Sequence, residues 1–436
     1  MSDLNRRTFL AGAGSGVAAL ALHGKARAAS PNEQLRVAII GVGGTGHGRG
    51  KDHIKAFGGR KDVTVATLCD VDNRVFGDGI KLVTDRGGKE PATVTDLRRV
   101  FDDKSIDAVS IATPNHWHAL ATVWACQAGK DVYVEKPVSH NFAEGAAMVK
   151  ASRKYDRIVQ TGTQNRSLPG VQEAVGFLRK GGIGKIFLAK GLCFNPRGSI
   201  GIKADAPVPP GVDYNVWLGP APERPFNPNR FHYEWHWNWD YGNGDLGNQG
   251  IHQMDVARWG LGKETWPTKI QSSGGRFGYK DDGETPNTLI STYAYDDCEL
   301  IFEVRGLPSN PEQGVKVGNL YYGTDGYLAI NGGNWASFLG PKGEPGPKGD
   351  GKQLGGDPDH FSNFIKAVRE RKREVQTADI VEGHRSTALC HLGNIAYRTG
   401  RSLTFDPQAE NFGADAQANA QLTREYRSPF TLPDLA

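Results

Sequence analysis

A short apolar run followed by a glycine-rich turn constrains this chain more than any other feature of its sequence. Residues 35–40 read LRVAII, and residues 41–46 read GVGGTG. A continuous apolar run of this length predicts a strand buried on both faces of a parallel sheet. Glycines at these spacings let the backbone turn tightly and approach a pyrophosphate at the N-terminus of the next helix. The folded region therefore opens with a predicted dinucleotide-binding turn.

Strands and helices alternate regularly after this turn. Further apolar, strand-like runs lie at residues 63–68, 107–112, 131–134 and 158–160. Helical segments are predicted between them, at about residues 118–128 and 143–155. This alternation predicts a doubly wound Rossmann domain over residues 35–160, with ligands at the carboxyl ends of its strands. A glycine turn in an unrelated α/β fold is the alternative interpretation.

The pattern changes after about residue 165. Longer, alternating segments predict strands at residues 185–193, 288–295, 299–304 and 327–330. Helices are predicted at residues 171–179, 360–371 and 380–399. These elements predict a second, α+β domain over residues 161–405 with a large, mainly antiparallel open sheet. Residues 406–436 are interpreted as a polar, irregular tail, and the glycine-repeat run 340–349 as a solvated loop.

The first 28 residues indicate a targeting signal and are excluded from the fold prediction. Residues 5–10 read NRRTFL and look like a twin-arginine export signal. A weakly apolar stretch at 11–22 and the sequence Ala-Arg-Ala at 26–28 complete the pattern of a cleaved signal peptide. We expect the twin-arginine machinery to export the folded chain to the periplasm or the medium. A disordered, Ala-rich tail with a chance arginine pair is the alternative.

Composition excludes several other classes of protein. The formal net charge of +4 is too small for a nucleic-acid-binding face. No apolar run after residue 30 reaches the roughly 18–20 residues of a membrane-spanning helix. The five cysteines are scattered, odd in number and without a CxxC spacing. They are therefore interpreted as buried thiols, not as a disulfide framework or a metal site.

An acidic residue follows the second predicted strand and bears on the choice of cofactor. Asp70 is placed to accept hydrogen bonds from the hydroxyls of the adenosine ribose. A carboxylate at this position repels a 2′-phosphate, so NAD is favoured over NADP. The nearby Arg74 leaves NADP open.

Two motifs give the chain a family resemblance. Residues 112–118 read ATPNHWH, and residues 129–137 read GKDVYVEKP. With the glycine turn, these resemble the Gfo/Idh/MocA oxidoreductases, the glucose–fructose oxidoreductase/inositol dehydrogenase family. The resemblance spans nearly all of the chain beyond the signal. It implies a nicotinamide cofactor, which an exported enzyme would have to hold tightly. The residues predicted to hold it are Gly41, Gly43, Gly44, Thr45, Gly46, Asp70, Thr113, Pro114, Asn115, His118, Glu135 and Lys136.

The resemblance also implies the catalytic residues. The lysine of the family's EKP motif lies beside the nicotinamide and the substrate hydroxyl, which corresponds to Lys136, and its bond to Pro137 is commonly cis. The family's D-x-G-x-H motif carries a histidine base, which corresponds to His252. Asn248 stands where that motif has aspartate, and an amide cannot raise the basicity of the histidine as a carboxylate would.

An aromatic segment at residues 231–241, FHYEWHWNWDY, predicts a carbohydrate-sized cleft, since sugar rings pack on aromatic faces. A core or interface strip is the alternative. Three of its residues could ligate a metal (His232, His236 and Asp240), but we predict no metal site. The predicted substrate-contacting residues are Arg166, Arg197, Trp235, His236, Trp237 and Asp245.

These features together predict an oxidoreductase that acts on a CH–OH group of a sugar, glycoside or polyol. The chain would transfer hydride to a retained NAD, which a second substrate re-oxidises. A glycoside-cleaving enzyme that uses transient oxidation and elimination is the main alternative, and a non-catalytic sugar-binding protein is the other. The open sheet of the second domain predicts a homo-oligomer, by analogy with the family.

Overall fold

The computed structural model describes residues 34–43, 48–352 and 359–435. The predicted signal at residues 1–28 lies outside these ranges, as do Gly44, Thr45 and Gly46 of the glycine turn. Within them, no helix is both long enough and apolar enough to cross a membrane.

Six parallel strands form the first sheet, in the order β3-β2-β1-β4-β5-β6. They are β1 (Leu35–Ile40), β2 (Val63–Cys69), β3 (Ala92–Val94), β4 (Ala108–Ile111), β5 (Asp131–Val134) and β6 (Val159–Thr161). The helices among them are α1 (Arg49–Phe57), α2 (Phe76–Thr84), α3 (Leu97–Asp102), α4 (Asn115–Gln127) and α5 (Phe142–Lys154). Strand order reverses at β1, so a crevice opens at the carboxyl ends of β1 and β4. The predicted doubly wound domain is confirmed.

Nine strands form the second sheet, in the order β14-β13-β12-β11-β7-β10-β9-β8-β15. The strands are β7 (Ile186–Cys193), β8 (Lys269–Gly275), β9 (Thr288–Ala294), β10 (Glu299–Arg305), β11 (Val317–Gly323), β12 (Gly326–Asn331), β13 (Asn334–Leu339), β14 (Glu344–Gly349) and β15 (Leu403–Thr404). Among the described strands of this sheet, only β7 and β10 pair in parallel, so the prediction of a mainly antiparallel sheet is confirmed.

Helices cover one face of the second sheet. The remaining helices are α6 (Pro169–Arg179), α7 (Tyr214–Leu218), α8 (Gly244–Gly247), α9 (Gly250–Leu261), α10 (His360–Glu370), α11 (Ile380–Thr399) and α12 (Ala416–Asn419). Helix α9 packs on β7 and β11, where Tyr321 Oη donates to the Val256 carbonyl at 2.6 Å. Helix α11 packs on both α9 and β8, so the start of α9 is held between the sheet and α11.

The glycine-repeat run differs from its prediction as a solvated loop. Its second half is β14, which pairs with β13 at the edge of the second sheet. Pro345 and Pro347 lack an N–H group, but an edge strand needs hydrogen bonds on one side only. The carbonyl of Pro347 still accepts a hydrogen bond from Ser337 Oγ at 2.6 Å. Proline is therefore compatible with this strand because nothing pairs beyond it in the sheet.

Two C-terminal segments return to the first sheet. Helix α10, which the sequence assigned to the second domain, buries Phe364 in the core around β1 and β2. The tail at 406–436 also packs inward, because Phe430 is buried with its ring 5.5 Å from that of Trp117. The two domains are thus joined by several chain crossings and not by a single linker.

Arg166 lies in a buried ion network and not in the cleft, so its prediction as a substrate contact is corrected. Its guanidinium contacts Asp255 on α9 at 2.7 and 2.9 Å, and Glu382 on α11 at 3.0 Å. Arg258 also pairs with Glu382. Burial alone would raise the pKa of Glu382, but Arg258 and Arg166 lower it to about 2. The network fixes α9 against α11. Arg166 is buried just after β6 because it contacts both of these helices.

Replacing Arg166 with methionine should destabilise the fold. Asp255 is 1% exposed and would lose its bidentate partner, so we expect the free energy of unfolding to fall by about 3–5 kcal/mol. Urea unfolding followed by circular dichroism measures this change. The control is Lys81→Met in the exposed pair Lys81–Asp85, where the loss should stay below about 1 kcal/mol. Equal stability of the two variants would contradict the role of the network.

Candidate active site

The glycine turn after β1 has the backbone shape that its sequence predicted. Gly41 and Gly43 have φ angles of 85° and 102°, which residues with a side chain rarely adopt. A Cβ on Gly41 would lie 2.8 Å from the carbonyl carbon of Ala112, and one on Gly43 would lie 2.6 Å from Cα of Gly48. At Gly41 and Gly43, the described part of the turn therefore has no room for side chains, which fits the close approach of a dinucleotide pyrophosphate.

Asp70 holds this turn from the end of β2. Its Oδ2 accepts backbone hydrogen bonds from Val42 at 2.8 Å and Gly43 at 3.1 Å, and its Oδ1 accepts one from Asp72 at 3.0 Å. Burial raises the pKa of Asp70, although these hydrogen bonds oppose the change. The carboxylate also lines the cleft. Its contact with a ribose remains a prediction, and its contact with the turn is an additional role.

Arg74 is engaged by a carboxylate. Its Nε and Nη2 donate to Asp72 Oδ1 and Oδ2, each at 2.7 Å. Although burial raises the pKa of Asp72, its hydrogen bonds with Arg74 lower it overall. A guanidinium held by both oxygens of one carboxylate is not directed toward a 2′-phosphate. This arrangement favours NAD.

The turn and helix after β4 form one wall of the cleft. The lining residues here include Thr113, Pro114, Asn115 and His118. Asn115 donates to the side chain of Asn243 in the second domain at 3.0 Å. The ring nitrogens of His118 face the carbonyls of Pro137 at 2.6 Å and Thr113 at 2.8 Å. Burial lowers the pKa of His118, which favours a neutral ring that donates to one of the two carbonyls.

Glu135 is the anchor of the EKP motif. Its buried Oε1 accepts a hydrogen bond from Arg49 Nη2 at 2.9 Å and lies 3.0 Å from His53 Nε2. Burial raises its pKa, but Arg49 and His53 bring the pKa well below its ordinary value. The sequence analysis missed both partners, because a helical arginine and histidine give no signal of their own. The ionised carboxylate fixes the backbone from which Lys136 projects.

Lys136 reaches from the first domain to the second. Its bond to Pro137 is cis, as the resemblance implied. Its Nζ donates to the backbone carbonyl of Asn248 at 3.1 Å, and both residues line the cleft. Burial lowers the pKa of Lys136, whereas Glu135 opposes that change. The structure therefore places the predicted lysine and the predicted Asn248 together, across the boundary between the domains.

His252 lies in the first turn of α9 but is not among the residues that line the cleft. Its Nδ1 is buried without a hydrogen-bond partner in the described chain. Burial, followed by the charge of Lys136, lowers its pKa to about 3. Asn248 bonds Lys136 through its backbone, and no hydrogen bond joins its side chain to His252 within the described ranges. Among the described residues, Nδ1 of His252 therefore has no partner that would fix the tautomer of the ring.

Of the six predicted substrate contacts, Trp235 and His236 line the cleft. Trp237 is buried beside it, with its indole donating to Glu234 at 2.9 Å. Arg197 binds Asp245 through two contacts of 2.8 and 3.0 Å and lies 5.4 Å from the Trp237 ring. Arg197, Trp237 and Asp245 thus contact one another beside the cleft, and their contact with a substrate remains a prediction.

Residues 211–241, here called the crossing segment, pass from the second domain over the nucleotide cleft. Asn73 N donates to the Gly211 carbonyl at 2.9 Å, and Trp117 Nε1 donates to the Val216 carbonyl at 3.0 Å. Two of its residues that line the cleft, Val216 and Trp217, lie outside the aromatic run that the sequence analysis assigned to it. The crossing segment covers the cleft along the side opposite the glycine turn.

Comparison with known proteins identifies the family to which this chain belongs. Residues 35–163 match the NAD-binding Rossmann domain of an oxidoreductase family, and residues 193–323 and 345–432 match its C-terminal alpha/beta domain. The chain belongs to the Gfo/Idh/MocA oxidoreductase family. The sequence-based predictions of family and of an NAD-binding domain are confirmed.

Individual relatives cover smaller parts of the chain. A glycosyl hydrolase family 109 protein of Shewanella pealeana is 34% identical over 24% of this chain and 24% of its own. A levoglucosan dehydrogenase of Pseudarthrobacter phenanthrenivorans is 29% identical over 50% of this chain and 51% of its own. The match thus spans between a quarter and a half of these curated relatives.

A solved structure shares the fold over nearly all of its length. Levoglucosan dehydrogenase in complex with NADH and levoglucosan superposes with a TM-score of 0.63 at 18% identity. The superposition covers 85% of this chain and 99% of that one. At this level of identity, the likeness concerns the arrangement of the two domains.

Asp72→Asn should weaken the discrimination against NADPH. The change removes a carboxylate and releases Arg74 to meet a 2′-phosphate, so the ratio of the Kd for NADPH to that for NADH should fall about tenfold. Isothermal titration of both nucleotides measures the ratio. Asp85→Asn, in an exposed pair with Lys81, is the control and should leave it unchanged. An unchanged ratio in Asp72→Asn would show that Arg74 does not face the ribose.

Proposed function

We propose that this chain transfers hydride between a retained NAD and a carbinol carbon of a sugar, glycoside or polyol. The observation that carries the proposal is the position of Lys136. Its ammonium group lies in the cleft that begins at the glycine turn, and the second domain fixes it through Asn248. An ammonium group held there orients a substrate hydroxyl and stabilises the developing alkoxide.

The chain's own residues supply binding, orientation and electrostatics. The turn at Gly41 and Gly43 would hold the pyrophosphate, and Asp70 the ribose. When bound, NAD supplies the hydride acceptor. Glu135 and Asn248 hold Lys136 at its backbone and at its ammonium group, respectively, so the cation is positioned before substrate arrives. Trp235 offers an apolar face for a sugar ring.

The crossing segment supports retention of the cofactor through turnover. It is tied to the first domain by a backbone hydrogen bond from Asn73 and a side-chain hydrogen bond from Trp117. A dinucleotide beneath it would leave only after these bonds open. A retained cofactor suits an exported enzyme, because no free nicotinamide pool exists outside the cytoplasm. A second substrate would then re-oxidise it.

Redox-neutral cleavage of a glycoside is the second candidate. Asn248 replaces the carboxylate that would support His252 in a simple dehydrogenase. Oxidation of a ring hydroxyl acidifies the neighbouring C–H bond, so elimination of the aglycone can follow before hydride returns. A relative named for glycosyl hydrolase activity favours this candidate, although the match covers 24% of each chain.

Absorbance near the reduced-nicotinamide band distinguishes the two candidates. The purified chain with bound NAD is mixed with levoglucosan or with p-nitrophenyl glycosides, and the products are analysed. Lasting reduction indicates a dehydrogenase, whereas release of nitrophenol without net reduction indicates cleavage.

Lys136→Met should slow either reaction about 100-fold or more. The control, Lys150→Met at an exposed position on α5, should retain full activity. An undiminished rate in Lys136→Met would contradict the proposal.

We further propose that residues 1–28 direct export by the twin-arginine route to the periplasm or the medium. The NRRTFL motif and the Ala-Arg-Ala site support this. The buried free thiols of all five cysteines suit a chain that folds in a reducing compartment before export.

Cell fractionation tests the route of export. We expect the exported protein to begin after Ala28, and we expect the double change Arg6→Lys and Arg7→Lys to retain it in the cytoplasm. The conservative change keeps both positive charges, so it isolates the arginine pair itself. Equal export of the two forms, or export of neither, would contradict the route.

A further inference from the structure

The order of strands in the first sheet divides the nucleotide cleft into two halves. The glycine turn follows β1, where the strand order reverses. Lys136 follows β5 on one side of this point, and Asp70 follows β2 on the other. In a doubly wound sheet, each half takes one nucleotide of the dinucleotide. With the nicotinamide at Lys136, as proposed above, the adenosine lies on the side of β2 and β3.

Both domains line the adenosine half of the cleft. From the first domain, the lining includes Val71 after β2, Thr95 after β3 and Leu97 at the start of α3. From the crossing segment, it includes Val216 and Phe231. Apart from Thr95, these side chains are apolar. A slot with apolar groups on both sides suits a flat purine ring, whereas a phosphate would need polar or charged partners.

The crossing segment is attached to the first domain directly beside Asp70. The backbone N–H of Asp213 donates to the Val71 carbonyl at 2.8 Å. The backbone N–H of Asn73 donates to the Gly211 carbonyl at 2.9 Å. These two bonds join the loop after β2 to the second domain. The crossing segment is therefore fixed at the adenosine end of the cleft by contacts that do not depend on a ligand.

A side chain of the crossing segment also reaches the loop after β2. Nε2 of His232 lies 3.5 Å from Oδ2 of Asp72, the carboxylate that holds Arg74. The φ angle of His232 is 52°, a conformation that a residue with a side chain keeps only where its surroundings fix it. The ring of Phe231 lies 4.2 Å from that of His232, measured between centroids. Phe231 is thus held next to the loop that follows β2.

We propose that the crossing segment supplies the second wall of the adenine site, with Phe231 against the purine ring. The inference rests on the proposed binding of NAD along the cleft. It goes further, because it assigns half of the adenine site to the second domain. An aromatic side chain is stabilised by contact with the face of a purine. The affinity for the adenosine half of the cofactor then depends on both domains.

Two neighbouring phenylalanines provide a matched test. Phe226 and Phe231 belong to the same small core, are 6% and 5% exposed, and have ring centroids 5.3 Å apart. Of the two, only Phe231 lines the cleft. Replacing either with leucine should therefore reduce stability by a similar amount, which urea unfolding checks.

The probe is ADP-ribose, which lacks the nicotinamide and so reports on the adenosine half alone. By isothermal titration, Phe231→Leu should raise the Kd for ADP-ribose about tenfold. Phe226→Leu should change it by less than about twofold, because its side chain does not reach the cleft. Equal changes of the Kd in the two variants, or no change in either, would overturn the proposal.

Photolabelling locates the adenine ring without a substitution and without turnover. NAD that carries an azide at C2 of the adenine is bound to the full chain and irradiated, and peptide mass spectrometry maps the label. We expect label within residues 211–241 that excess ADP-ribose prevents. Label confined to residues 34–160, or none that ADP-ribose prevents, would overturn the proposal. The expected labelling in a chain that oxidises no sugar would instead count against the proposed function alone.

Discussion

The hydrogen bond from Lys136 Nζ to the Asn248 carbonyl joins the two halves of the cleft. Every chemical step proposed for this chain depends on that contact, because the ammonium group comes from the nucleotide domain and its support from the second domain. Behind it, the ionised Glu135 accepts a hydrogen bond from the backbone N–H of Lys136. Arg49 and His53 hold the carboxylate of Glu135 in turn. A buried carboxylate is stable only when paired, so this network also secures α1 against the end of β5.

The position of Asn248 depends in turn on how α9 is packed. Asp255 on that helix is bound by Arg166 and accepts a hydrogen bond from Ser386 on α11. An arginine that resembled a substrate contact in the sequence therefore acts at a distance, by fixing the helix that follows Asn248. Such ion networks specify one arrangement of helices because each buried charge must meet its partner. The cleft is thus pre-organised by contacts that lie outside it.

Aromatic residues of the crossing segment both pack in a core and line the cleft. Phe231 and Trp217 belong to a small core of the second domain, yet both also line the nucleotide cleft. Part of the aromatic run is therefore buried core, and part of it lines the cleft. Trp235 and His236 face the cleft, whereas Trp237 turns inward toward Glu234.

The sequence by itself determined the elements whose chemistry is local. The glycine turn, the buried parallel strands and the EKP motif were recognisable because backbone shape and apolar periodicity depend on neighbouring residues. Contacts between distant residues were decided only by the tertiary structure. Arg166 and Arg197 look alike in sequence, yet one joins two helices and the other supports the cleft wall. The contact between Lys136 and the Asn248 carbonyl likewise joins residues that only the fold brings near, since hydrogen-bond partners are set by distance in space.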